Sequence, residues 1–187
     1  MGHSMGGTIA ALYAAERAQE RNLAELILSS PALKIGPETP RWKAGLSRIA
    51  GLVLPRMAAF SIDPALLSRA AGVVEAYRRD PLVHHGAVPA RTAAQILAGM
   101  ERVAAKRGEI RLPLLVFHGI ADAICDPAGS REFEANVGST DSTLVLHEGS
   151  AHETLNDLDR DRVIRELIDW TLVRADYARR HAPSQAS

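Results

Sequence analysis

The sequence predicts an α/β protein: a parallel sheet flanked by helices, on three observations. Short apolar runs closed by turn residues recur along the chain, helical patterns alternate with them, and the last helical pattern carries a single apolar stripe. Runs of this kind fit strands buried on both faces, as parallel strands are. The first stretch, Ser4 to about Ser30, begins helix-like, with Ile9, Leu12 and Tyr13 among alanines. It ends in the strand-like Leu26-Ile27-Leu28 and the turn signal Ser29-Ser30-Pro31. Two more strands are expected at Leu114–Phe117 and Thr143–Leu146, with a helix near Gly129 to Val137 between them. From about Asp159 to Ala178, the spacing of Val163, Ile164, Leu167, Ile168 and Leu172 predicts a helix laid on the sheet. The tail, 182–187, is expected to fray.

Residues 33–111 differ. They hold much of the proline, show no convincing strand, and carry short helical patterns broken at Pro55, Pro64, Pro81 and Pro89. An insertion of this length between two sheet strands predicts a helical cap set within one partial α/β domain that covers 1–187. One cap pattern places Leu46, Ile49, Ala50, Val53, Leu54 and Met57 on a single helical face. That stripe fits either packing against the domain or a lipid-facing, membrane-contacting surface.

Composition narrows the function. Lys+Arg and Asp+Glu number 22 each, so formal net charge is zero and no electrostatic case exists for a nucleic acid partner. The hydrophobic share of 47% and charged share of 24% suit a packed soluble chain. The single cysteine, Cys125, forms neither an internal disulfide nor a multi-cysteine zinc site. No apolar run is long enough to span a membrane. Met1-Gly2-His3-Ser4 lacks the basic-then-apolar order of a signal peptide. The expected location is cytoplasmic, with peripheral membrane contact through the cap as an open reading.

Chemistry concentrates at Ser4. Gly2-His3-Ser4-Met5-Gly6 fits Gly-x-Ser-x-Gly, and Gly7 extends it. A serine on a sharp strand-to-helix turn takes unfavourable backbone angles, and small neighbours on both sides let the chain fold that tightly. The turn lifts the hydroxyl clear of the sheet and aims it, with the N–H of Met5, at one place. The strand that should feed the turn is expected to be missing, since the sequence begins there. A serine hydroxyl needs a base, and the base needs a carboxylate to orient it. In this fold class the order along the chain is serine, acid, histidine. Asp122 follows the strand Leu114–Phe117 and His152 follows Thr143–Leu146, both in loops at strand ends. Asp126 is a rival acid, or else the cap of the helix that follows it. His147, at a strand end, reads as structural, and His118 and His3 as orienting or hydrogen-bonding residues. Adjacent His84 and His85 point apart and are joined by no cysteine or carboxylate cluster, so no metal site is expected.

With these residues placed, the chain resembles the C-terminal two-thirds of the monoacylglycerol lipase-like α/β-hydrolases, which are grouped with serine aminopeptidase (S33) and lysophospholipase-type enzymes. The elbow Gly2–Gly7 carries the resemblance, with Leu52-Val53-Leu54-Pro55, Tyr77–Val83, His118–Asp126 and Glu148–Glu153. It implies an α/β-hydrolase fold truncated at the nucleophile elbow, with about three parallel strands. It also implies Ser4 as nucleophile, His152 as general base and then acid, and Asp122 as the orienting carboxylate. Met5 becomes an oxyanion donor, and His3, Tyr77 and Leu82 fall at substrate-binding positions. Cys125 lies where the family can carry a thiol, though a small buried residue is the plainer reading. The implied reaction is cleavage of a fatty acyl ester of a monoacylglycerol through an acyl-enzyme, with no cofactor and a small lipid ester as substrate. The alternatives are a lysophospholipase, a general carboxylesterase or, in another class, an inactive fragment or interaction module lacking the N-terminal half of the sheet. A homodimer through the cap or the open sheet edge is the other partner expected.

Overall fold

A computed structural model describes residues 1–17, 23–36 and 41–181. The expected frayed tail, 182–187, lies outside the described residues. Four parallel strands make the main sheet, in the order β1-β2-β5-β6. They are β1 (Gly2–His3), β2 (Leu26–Ser29), β5 (Leu114–Gly119) and β6 (Ser142–His147). The helices are α1 (Met5–Arg17), α2 (Arg41–Val53), α3 (Ala71–Arg79), α4 (Ala90–Lys106), α5 (Pro127–Glu134) and α6 (Arg160–His181).

Both faces of the sheet are covered at its centre, so the middles of β2 and β5 are apolar on both sides. Leu26, Leu28, Leu114 and Val116 point to one side, where Ala11 and Ala14 of α1, Val103 of α4 and Phe133 of α5 bury against them. Ile27, Leu115 and Phe117 point to the other, where Val163, Leu167 and Trp170 of α6 pack. This alternation is the period of a strand doubly packed by helices. The last turn of α4 therefore serves the same core as α1, and Glu16 ties the two helices through Arg102 at 2.7 Å and Lys106 at 3.2 Å.

Two sequence expectations are corrected here. The strand feeding Ser4 is not wholly missing: Gly2 pairs with Leu28 and His3 with Ser29 in parallel register. Two residues carry no periodicity, so no pattern could announce them. The inserted segment also contains strand after all. β3 (Ala58–Phe60) and β4 (Val88–Pro89) form an antiparallel ribbon, with Phe60 opposite Val88. Proline at an edge of so short a ribbon is tolerated because it gives up few ladder bonds.

The helix read at Gly129–Val137 starts earlier, at Pro127, because Asp126 caps it by accepting from the N–H of Ala128 at 2.9 Å. The stripe on α2 turns outward. Ala50 is buried and Gly51 seats the helix on α4, where an added Cβ would stand 2.8 Å from the Cβ of Ala94. Contact along that small-residue seam leaves Leu46, Ile49, Val53 and Leu54 exposed, and Leu52 is 80% exposed.

The contrast gives a stability test. Phe133→Ala should cost about 3–5 kcal/mol by the cavity it leaves, whereas Leu52→Ala should change stability by no more than about 0.5 kcal/mol. Urea unfolding of both variants measures this, and a comparable loss from Leu52→Ala would mean that the outward side of α2 is packed.

Candidate active site

The site is assembled at the C-terminal ends of the four strands. Ser4 follows β1 directly and has φ +50°, a left-handed conformation that serine rarely adopts. Such strain costs on the order of 1–3 kcal/mol and survives only where its surroundings hold it. Here the N–H of Ser4 donates to Ser29 O at 3.0 Å, and its own carbonyl accepts from Gly7 N at 2.9 Å and Ala32 N at 2.9 Å. The hydroxyl of Thr8 donates to the carbonyl of Ala32, closing the turn from the helix side. The steric demand for glycine is more selective than the motif suggests. A Cβ on Gly2 would run into the carbonyl of Gly6, and one on Gly7 would lie 2.7 Å from the Cβ of Pro31, but one on Gly6 meets open space.

Asp122 and His152 come from the loops after β5 and β6, which interlock. Ala121 N donates to Ser150 O at 3.0 Å, and Ile120 N to His147 O at 2.9 Å. Gly119 permits this approach, since a Cβ there would strike the carbonyls of Ser150 and Ala151. The stretch after β2 closes the third side: Gly36 N donates to Ile124 O at 3.1 Å and Asp126 N to Lys34 O at 3.2 Å. Nucleophile turn, acid loop and histidine loop are thus hydrogen-bonded into one unit.

Within that unit, His152 Nδ1 lies 2.7 Å from Asp122 Oδ2. A carboxylate only accepts, so Nδ1 carries the proton and Nε2 keeps its lone pair. His118 Nε2 donates to the same oxygen at 2.9 Å, and His118 Nδ1 lies 2.7 Å from the hydroxyl of Ser130. The other oxygen, Oδ1, accepts from the backbone N–H of Ile124 at 2.8 Å and of Cys125 at 2.9 Å. Burial is the largest influence on Asp122 and opposes its charge. The hydrogen bonds from His118 and His152, the electrostatic attraction of the His152 ring and the N–H of Cys125 together outweigh it, holding the carboxyl well below the usual carboxylate range.

The Ser4 side chain is near enough to the thiol of Cys125 to act on it, which places it beside this cluster. Burial, aided by the negative charge of Asp122, pushes that thiol up to about 12, so it stays protonated and inert. Asp122, Cys125 and His152 bring ligand atoms within 4.8 Å of one another, the kind of donor set a metal uses. Here the facing atoms of Asp122 and His152 are engaged with each other, and the third is a neutral thiol.

The remaining residues singled out in the sequence sort as follows. His3 lies with its ring centroid 4.8 Å from that of His152 and bonds Ser29 Oγ through Nδ1 at 3.1 Å. Burial first and His152 second hold it below the ordinary histidine range. Met5 is exposed at the start of α1. Tyr77 lines a cavity of about 290 Å³ with Leu67, Val74, Asp80, Glu153 and Asn156. Leu82 is 93% exposed and is not among the residues lining that cavity. His147 is buried against Phe117, with ring centroids 6.4 Å apart, and His85 sits edge-on to Tyr77 at 5.8 Å. Three participants went unread in the sequence: Ser130, Arg69 and Asp157. Each acts through a partner distant along the chain, and no spacing rule announces such a contact.

A family model described as serine aminopeptidase, S33, matches residues 1–159. The chain belongs to this family. It is 34% identical over 173 residues to a monoglyceride lipase of Rattus norvegicus, covering 91% of the chain and 56% of that protein. A monoacylglycerol lipase of Mycolicibacterium smegmatis is 31% identical over 170 residues, covering 91% of the chain and 60% of the relative. The chain therefore spans little more than half the length of these relatives. The crystal structure of Paleococcus ferrophilus monoacylglycerol lipase matches with a TM-score of 0.84 at 31% identity, over 92% of the chain and 67% of that structure. A soluble variant of Saccharomyces cerevisiae monoglyceride lipase in complex with a substrate analogue shares the fold, with a TM-score of 0.80 at 23% identity over 92% of the chain and 61% of that structure. The fold is that of the α/β-hydrolases.

These charged and buried groups set the acid response of the chain. Asp122, Asp157 and Asp159 are all held below their ordinary values, and His3 and His147 are held below theirs by burial. In every case the unfolded chain binds more protons than the folded one as pH falls, so stability must rise with pH on the acid side. The urea midpoint should be highest at neutral pH and decline below about 6.5 as the histidines protonate in the unfolded chain. It should fall further below about 4, where the carboxylates do so. A midpoint that is flat from pH 7 to 3 would contradict these assignments.

Proposed function

We propose that the protein is a serine carboxylic ester hydrolase of the monoacylglycerol lipase type, cleaving a fatty acyl ester to glycerol and a fatty acid. The observation that carries the reading is the 2.7 Å hydrogen bond between His152 Nδ1 and Asp122 Oδ2, beside a serine on a strained strand-to-helix turn. In this reading Ser4 Oγ attacks the ester carbonyl while His152 Nε2 takes its proton. Asp122 stabilises the imidazolium formed, and the N–H of Met5 faces the developing oxyanion. Collapse of the tetrahedral intermediate breaks the ester bond. His152 then hands its proton to the departing alcohol, leaving an acyl-enzyme that water hydrolyses by the same steps reversed.

Substrate class follows from what surrounds these groups. The cavity lined by Tyr77, Asp80, Glu153 and Asn156 adjoins the histidine loop and offers hydrogen-bonding groups to a small polyol, the head group of a monoacylglycerol. Residues 33–111 serve as the cap over the site. The apolar side chains exposed from α2 through β3, among them Leu52, Val53, Met57 and Phe60, suit contact with a lipid surface. No helix among the described residues is long and apolar enough to cross a membrane. The names of the matched Mycolicibacterium smegmatis and Paleococcus ferrophilus lipases support the same substrate class.

Hydrolysis of chromogenic acyl esters of increasing chain length tests the proposal, with Ser4→Ala as control. Turnover should fall by more than about a thousandfold in Ser4→Ala. Equal turnover by both proteins would remove Ser4 from the mechanism.

A further inference from the structure

The loop that carries His152 is held on both sides by groups outside it. On the N-terminal side, Ala151 N–H donates to Asp157 Oδ2 at 2.7 Å. On the C-terminal side, Glu153 N–H donates to the carbonyl of Leu67 at 2.8 Å. Leu67 belongs to the inserted segment, two residues before Arg69. Arg69 in turn grips Asp157 twice: its backbone N–H meets Oδ1 at 2.9 Å, and its Nε meets Oδ2, the oxygen that holds Ala151, at 2.9 Å. Its Nη2 reaches Asp159 Oδ1 at 2.8 Å, and Asp159 accepts from the hydroxyl of Ser150 at 2.8 Å.

The side chain of Asp157 is 0% exposed, and its charge is held by the Arg69 guanidinium together with the backbone N–H groups of Ala151, Arg69 and Leu158. A buried carboxylate deprived of its cation either takes up a proton or swings toward solvent. Either change weakens the hold on Ala151, one residue before the base. The helix that starts just after Arg69, α3, carries Val74 and Tyr77 to the cavity that Glu153 and Asn156 also line. One short stretch of chain, 67–77, therefore walls the cavity and also fixes the backbone of the histidine loop.

We propose that Arg69 is a positioning residue that acts through Asp157 to set the backbone carrying His152, so that the leaving-group cavity and the general base keep one geometry. The proposal rests on the assignment of His152 as base in the ester hydrolase reading. It asks Arg69 to touch neither substrate nor the reacting atoms.

The test compares wild type, Arg69→Ala and Arg69→Lys by steady-state ester hydrolysis and by amide hydrogen exchange. Since misplacing a base by about 1 Å can cost on the order of a hundredfold in rate, Arg69→Ala should lower kcat by about 30- to 100-fold. KM should move by less than about threefold, because the groups lining the cavity remain in place. Ethylguanidinium added to Arg69→Ala should recover about tenfold of the lost kcat by restoring the pair with Asp157. Arg69→Lys keeps the charge without the planar fork and should fall between the two. A raised KM with unchanged kcat, or a lowered melting temperature with kcat intact, would overturn the proposal. Should Arg69→Ala fail to fold, Arg69→Lys decides, and wild-type kcat in that variant overturns it. Hydrogen exchange separates the two readings: the amides of Ala151 and Glu153 should exchange faster in the folded variants whether or not the protein turns over esters. Absence of ester turnover in wild type would defeat the hydrolase reading alone, whereas unchanged exchange at those two amides would defeat the role given to Arg69.

Discussion

The carboxylate of Asp122 is fully buried and still charged, and the arrangement of the site follows from what that requires. A bare buried carboxylate would take up a proton, so each of its lone pairs must find a donor. Two come from the backbone of its own turn, at Ile124 and Cys125, and fix where the loop after β5 goes. Two come from imidazoles, His118 from the end of β5 and His152 from the loop after β6. The same four contacts that keep Asp122 ionised thus select the tautomer of His152 and bring two strand ends together. Replacing any donor would leave a buried acceptor unmatched, which is why this cluster acts as a unit and not as separable pairs.

The scaffold contributes rigidity in proportion to what the site demands. A serine at φ +50° is stable only because β2 and the stretch after it supply hydrogen bonds to the turn from outside. Glycines do the complementary work of permitting close approach. Gly7 lets Pro31 lie over the first turn of α1, and Gly119 lets the histidine loop press on the end of β5. The inserted segment is built differently. Its helix α2 meets α4 through Ala50 and Gly51 and leaves large apolar side chains outward, whereas its stretch around Arg69 is bound tightly to the histidine loop. One end of the segment thus presents apolar side chains outward, and the other is tied to the histidine loop.

Much of this was legible in the sequence where a local rule exists. Strands β2 and β5 were visible because both of their faces are buried, β6 because Leu144, Val145 and Leu146 form an apolar run although the strand is only partly buried, and α6 because its apolar residues recur at helical spacing. Ser4, Asp122 and His152 could be picked out because their order and their places after strands are read locally, and the structure puts Asp122 and His152 in contact, with Ser4 beside Cys125. Strand β1 was missed because two residues have no period, and the β3–β4 ribbon because Pro89 and its brevity hide it. The outward turn of the α2 stripe was undecidable, since amphipathic spacing marks an apolar face without saying what covers it. Ser130, Arg69 and Asp157 escaped for another reason: their roles depend on contacts that no local pattern encodes, His118 with Ser130, 12 positions apart, and Arg69 with Asp157, 88 positions apart.

The central claim is that Ser4 becomes reactive through His152 and Asp122. The most direct measurement is covalent capture by a fluorophosphonate, with the modified residue located by mass spectrometry in wild type and in Asp122→Asn. The account predicts a single adduct on Ser4, forming about a thousandfold or more slowly in Asp122→Asn because the base loses its oriented tautomer. An adduct on another serine, or capture at an equal rate in the two proteins, would contradict it.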